Sequence, residues 1–132
     1  MNTRAIQAAV DAAAQGGGGT VFIPAGRFLT GPIMLRSNIT LYLDAGAVVL
    51  GSPSPADYSV VEGRWEGLDQ KTYAPLIGGD DLINVTINGR GTIDGQGSVW
   101  WNLHRQKKLA HPRPQLIRFM RCSNVLVEGI TA

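Results

Sequence analysis

The sequence predicts an all-β solenoid, a coil of short parallel strands stacked rung on rung, and three observations predict it. Residues 75–97, PLIGGDDLINVTINGRGTIDGQG, hold short apolar runs (Leu76-Ile77, Val85-Thr86-Ile87, Thr92-Ile93) separated by Gly, Asn and Asp. Forty residues on, the pattern returns in register: Leu116-Ile117 repeats Leu76-Ile77, Asn124-Val125 repeats Asn84-Val85, Val127 repeats Ile87, and Gly129 repeats Gly89. A weaker copy lies upstream in Asn38-Ile39-Thr40-Leu41. Self-similarity at a fixed period marks units that bury their apolar faces only by stacking on their neighbours.

The elements follow in order. Asn2 or Thr3 can cap a helix over residues 3–15, rich in alanine, with Ile6, Ala9, Val10, Ala13 and Ala14 on one apolar face. The glycines at 16–19 end it. They do not form a phosphate-binding loop, which needs a following Lys and a helix N-terminus. A helix placed before a solenoid caps the open end of the stack. Coils are then expected over residues 20–132. Thr20 to Ile23 is the first strand, stopped by Pro24, and short extended pieces follow around Phe28-Leu29, Ile33 to Leu35, Ile39 to Leu43 and Ala47 to Leu50. Each is bounded by Gly, Pro, Asn or Asp, with no helix between them. Parallel coiling is favoured over a sandwich or barrel because the strands are so short, hairpin signals are few, and Asn recurs at one place in each repeat. Asn tolerates the left-handed conformation of a sharp corner, and stacked Asn side chains can hydrogen-bond along the coil.

The pattern lapses twice, at residues 52–73 and 98–114, and both lapses read as loops leaving the coil. They carry the three tryptophans, Trp65, Trp100 and Trp101, which are expected in loops and not in strands. Long loops with aromatic and charged side chains on a rigid scaffold are where binding usually resides.

Composition bounds the function. At 44% apolar and 17% charged, the chain is globular and not disordered. No apolar run approaches the roughly 20 residues of a membrane span, so no membrane partner is expected. No signal peptide follows Met1, so the chain itself does not assign a compartment. The only cysteine, Cys122, cannot form an internal disulfide; it sits at the repeat position of Leu82 and is expected to be a small buried hydrophobe. Net charge is only +2, but Arg105, Lys107, Lys108, Arg113, Arg118 and Arg121 are half of all Lys and Arg, and no acidic residue lies between Asp94 and Glu128. Such a region draws a polyanion. The candidates are nucleic acid or an acidic polysaccharide, against the plainer alternative of a solvated loop with scattered strand-edge cations; the segment lacks any helix-turn-helix, RRM or zinc-finger signature, which counts against nucleic acid.

The chemical motifs are sparse. Asp80-Asp81 matches Met120-Arg121 in the repeat and reads as a strand end or turn, as does Asp94-Gly95. His104 and His111 have no Ser, Cys or metal-ligand partner at a telling spacing, and no zinc, EF-hand or nucleophile-elbow pattern is present, so neither metal nor cofactor is expected. Two Asn-x-Thr triplets, at Asn38 and Asn84, fall inside the repeating corners and read as structural. The aromatics remain: flat faces for sugar rings beside cations for carboxylates suit an acidic sugar polymer, against the plainer alternative that Trp100 and Trp101 pack the loop onto the coil.

At these residues a resemblance emerges. The first 52 residues, through GAVVLGS, resemble the N-terminal part of the polygalacturonase family of glycoside hydrolases, family 28. RWEG, YAPLI, GRGTIDGQGSVWW and RPQLIRFMRCSNVLVEGIT continue the pattern in the right order. The resemblance implies a right-handed parallel β-helix, the pectin-lyase-like solenoid, behind a capping helix. It also implies inverting hydrolysis of α-1,4-linked galacturonic acid or a related pectic linkage, by a protein secreted or periplasmic in its full-length form. The family's NTD, GHG and RIK motifs are absent from the 132 residues, and Asp80-Asp81 lies too early to be its DD. The expectation is therefore one partial domain, the N-terminal portion of a pectin-degrading hydrolase, with no catalytic residue assigned and no activity of its own. Arg64, Trp65 and Glu66 of RWEG, together with Trp101, are expected to bind substrate. The rival readings are a non-catalytic carbohydrate-binding module and another β-helix protein, such as a pectate lyase or a phage adhesin; no clustered acidic calcium site supports the lyase.

Overall fold

In a computed structural model, residues 1–65, 68–109, 111 and 114–132 are described, with the backbone path alone for 62–65 and 68–70. Helix α1 (Thr3–Gln15) comes first. The first rung is β1 (Gly19–Ile23), β2 (Gly26–Thr30) and β3 (Ile33–Met34). The second is β4 (Ile39–Leu43) and β5 (Ala47–Gly51), and a hairpin of β6 (Val60–Trp65) and β7 (Leu68–Tyr73) precedes its third side, β8 (Ile77–Asp80). The third rung is β9 (Ile83–Gly89), β10 (Thr92–Asp94), helix α2 (Gly97–Arg105) and β11 (Ile117–Met120), after which β12 (Ser123–Val127) opens a fourth. Three parallel sheets result, ordered β1-β4-β9-β12, β2-β5-β10 and β3-β8-β11. This is a parallel β-helix, and Val127 stands opposite Ile87 as the forty-residue repeat requires.

Alternation along each strand explains the core. In β4, Ile39, Leu41 and Leu43 point inward and are fully covered, while Thr40 and Tyr42 face out. Val21, Ile23, Val85 and Ile87 stack with them, as do Val49 and Ile93 on the second sheet and Ile33 and Ile77 on the third. Each inward side chain leaves water by resting on the rung above and below, at about 1.5–3 kcal/mol per fully buried aliphatic group.

The corners are set by left-handed backbone. Asn38, Asn84 and Asn124 have φ of 64°, 57° and 58°. Their amides form a ladder: Asn84 Nδ2 donates to Asn38 Oδ1 at 3.1 Å, and Asn124 Nδ2 donates to Asn84 Oδ1 at 2.6 Å. Both Asn-x-Thr triplets thus begin at ladder positions. A second column of left-handed turns holds Asp81 and Arg121 (φ 58° and 53°), where Arg121 Nε donates to Asp81 Oδ1 at 2.8 Å. That hydrogen bond, then the carboxylate's charge, raises the Arg121 pKa above its ordinary value.

Several expectations are corrected. Asn2 occupies the N-cap position of α1, but its side chain makes no cap; its main-chain N–H donates to Leu29 O at 2.8 Å instead. Thr3 Oγ1 accepts from Gly31 N at 2.8 Å, so both residues tie the helix to the first rung. The buried stripe of α1 is narrower than predicted: Ile6 and Val10 are covered, Ala13 and Ala14 pack partly, and Ala9 is exposed. Gln7 uses its side-chain amide like one residue of a strand, accepting from Met34 N at 2.9 Å and donating to Met34 O at 2.8 Å. It thereby satisfies the open edge of β3. Cys122 is half-buried instead of sealed in the core, and its Sγ accepts from Leu82 N at 3.4 Å. Finally, the tryptophans are not in loops, since Trp65 ends β6 and Trp100 and Trp101 lie in α2.

Candidate functional site

The two excursions share one corner of the coil. Leu50 of β5 pairs with Asp94 of β10, and the chain leaves the coil shortly after each. It rejoins at Ile77 of β8 and Ile117 of β11, which also pair. A 3-10 turn (Pro55–Asp57) and the antiparallel hairpin form the first excursion, with Val60 opposite Tyr73 and Trp65 opposite Leu68. The same register places Glu62 across from Lys71 and Arg64 across from Asp69. Helix α2 opens the second excursion.

An aromatic seam joins them. Trp100 is buried and meets Tyr58 edge-on at 5.1 Å, 88° between planes, and Tyr73 at 5.7 Å. Tyr73 in turn meets His111 edge-on at 5.5 Å. Gln96 spans the rungs below, donating from Nε2 to Gly51 O at 2.7 Å. Tyr58 donates its hydroxyl proton to Ser52 O at 3.0 Å; burial first, and the neighbouring Asp57 charge second, push its pKa up to about 12.

The predicted site residues divide. Trp100 is packing. Trp101, its neighbour, is 49% exposed and stacks against His104 at 6.1 Å with 29° between planes. Arg64 and Trp65 lie on β6, in the other excursion, and Glu66 lies outside the described residues. The basic group does not form one patch. Arg105, Lys107 and Lys108 are exposed at the end of α2, Arg121 is paired with Asp81, Arg118 is on β11, and Arg113 lies outside the described residues. Sequence reasoning missed the seam of Tyr58, Tyr73 and His111, because nothing local links residues so far apart in the chain. Among the described residues no group of His, Cys, Asp or Glu could hold a metal, and no helix is long and apolar enough to cross a membrane.

A cavity of about 650 Å³ lies on the inner side of the same corner, lined by Tyr58, Leu76, Ile93, Trp100 and Leu116 among others. Leu76 and Ile93 are core residues, so this space continues the coil's apolar interior. Its polar lining includes Asp94, whose negative charge would oppose a sugar carboxylate there. The outer corner, with Trp101 and the cations, is the better surface for an acidic sugar.

Comparison with known proteins identifies the architecture. The model for glycosyl hydrolases family 28 matches residues 16–132. The chain belongs to glycosyl hydrolase family 28. This family 28 chain is 36% identical over 140 residues to a probable polygalacturonase of Vitis vinifera, covering 99% of the chain and 28% of that relative. It is 35% identical to an exo-poly-alpha-D-galacturonosidase of Dickeya chrysanthemi, covering 100% of the chain and 23% of that relative. The crystal structure of a hyperthermoactive exopolygalacturonase from Thermotoga maritima superposes with a TM-score of 0.79 at 30% identity, over 97% of this chain and 37% of that one. The family 28 chain is thus a right-handed parallel β-helix, and it spans about a quarter of the length of the curated relatives it matches.

Proposed function

We propose that the chain forms the capping helix and first coils of a pectin-degrading hydrolase. The reaction is inverting hydrolysis of α-1,4-linked galacturonic acid. In such a reaction one carboxylic acid protonates the leaving oxygen while a second carboxylate, roughly 6.5–9.5 Å away, activates water on the opposite face. The observation that carries the reading is the family match over residues 16–132. Asp80 and Asp81 are not assigned to that pair, because the Asp81 carboxylate is engaged by Arg121 in a rung-to-rung turn. The role of this chain is one wall of the substrate groove, with Arg64, Trp65 and Glu66 from the first excursion and Trp101 from the second.

Two measurements test it. The purified 132-residue chain should bind polygalacturonate in affinity electrophoresis and release no reducing ends from it. Turnover above background would overturn the inert role, and unsaturated products on adding calcium would move the assignment to a lyase. A second reading, a binding module without chemistry, is favoured by the exposure of Trp101 on α2 and of Arg105 and Lys108 at the end of that helix. It predicts retention of the polymer by this chain that a catalytically complete relative does not exceed.

A further inference from the structure

We propose that Arg118 is the residue of this corner that recognises a sugar carboxylate, which rests on the substrate class proposed above. Arg118 is on β11, the strand to which the second excursion returns, opposite Gly78 of β8, the strand to which the first returns. Its neighbours Ile117 and Phe119 pack against the core, so alternation turns Arg118 to the outer face of the sheet. Arg36 pairs with Asp11 at 3.2 Å and Arg121 with Asp81 at 2.8 Å, whereas Arg27 and Arg90 show no such pair among the described residues. Arg118 shows no carboxylate partner among the described residues. Its Nη1 donates to Thr72 Oγ1 at 3.4 Å, while its Nε is buried without a hydrogen-bond partner.

No Asp or Glu lies between Asp94 and Glu128 in the sequence. A partly buried guanidinium with an unsatisfied donor is costly to keep, and the cost falls when an anion arrives to accept from it. A carboxylate suits the planar fork, which donates two parallel N–H bonds to one such group. Thr72 is itself buried and sits at the base of the hairpin, next to Tyr73 of the aromatic seam. It holds the guanidinium at the junction of the two excursions, where a polymer lying along the corner would present its uronate groups.

The test is calorimetric titration of the chain with trigalacturonate and with its fully methyl-esterified form. Wild type should prefer the acid, Arg118→Met should lose that preference by about tenfold or more, and Arg118→Lys should keep part of it, as expected for a charge-assisted fork. Thr72→Val, which frees the guanidinium without removing it, should weaken acid binding by about threefold and leave ester binding unchanged. Undiminished preference in Arg118→Met overturns the assignment and leaves the pectic reading standing. Equal wild-type affinity for acid and ester overturns the assignment too, whereas failure to bind either form overturns the substrate class with it. If Arg118→Met does not fold, by circular dichroism, Arg118→Lys and Thr72→Val decide, and wild-type behaviour in both counts against the proposal.

Discussion

Asn84 is the middle residue of the amide ladder, accepting from Asn124 and donating to Asn38 while its own backbone sits at φ 57°. Asn84→Ala removes two side-chain hydrogen bonds and leaves an alanine in a left-handed corner, so it should cost about 2–4 kcal/mol in denaturant unfolding. Asn84→Gly keeps the corner and loses only the ladder, and should cost less. Gly89 makes a harder demand, with φ of 107° and a position where a Cβ would strike Leu43 O. Gly89→Ala should therefore be worse than either, and equal stability of Gly89→Ala and wild type would contradict the rung spacing described here. Tyr58 gives the chain an alkaline limit. Its pKa is raised from 10.0 to about 12, so above pH 10 the unfolded chain gives up this proton while the folded one keeps it. Stability present below pH 10 is then lost as pH rises to about 12, on the order of 2 kcal/mol. Tyr58→Phe should flatten that loss in thermal melts taken between the two values.

The two excursions behave as one element because Trp100 is clamped between Tyr58 and Tyr73. Trp100→Ala should cost about 3–5 kcal/mol, as for other buried aromatics, and should loosen the hairpin as well as α2 in hydrogen exchange. Trp101→Ala should cost less stability than Trp100→Ala, because Trp101 is the more exposed of the two. It should weaken polygalacturonate binding by about fivefold, near the worth of one aromatic contact. A reversal of these two phenotypes would invalidate the division of labour within α2. Adjacent tryptophans part in this way because a helix turns about 100° per residue, so neighbours cannot share a face.

At the scale of the whole molecule the two ends differ. Helix α1 covers the first rung, while β12 leaves Val125, Leu126 and Val127 exposed along an unpaired edge. The isolated chain should associate through that edge, with a sedimentation coefficient that rises with concentration. A monomer at all concentrations would argue against it. The period of forty residues, the inward apolar positions and the asparagine corners were all readable from the chain, because a solenoid rung is specified by its own sequence and repeats it. The placement of Asp80 at a strand end and of Asp81 in a turn followed from the same alignment of rungs. What the tertiary structure alone decided is where the excursions meet. The hairpin carries no Asn-Gly signal, the seam joins Tyr58, Tyr73, Trp100 and His111 across unrelated local patterns, and the Thr72 contact of Arg118 spans 46 residues. Strand alternation and turn chemistry act over neighbouring residues, whereas a packed corner depends on distances that only the folded coil sets.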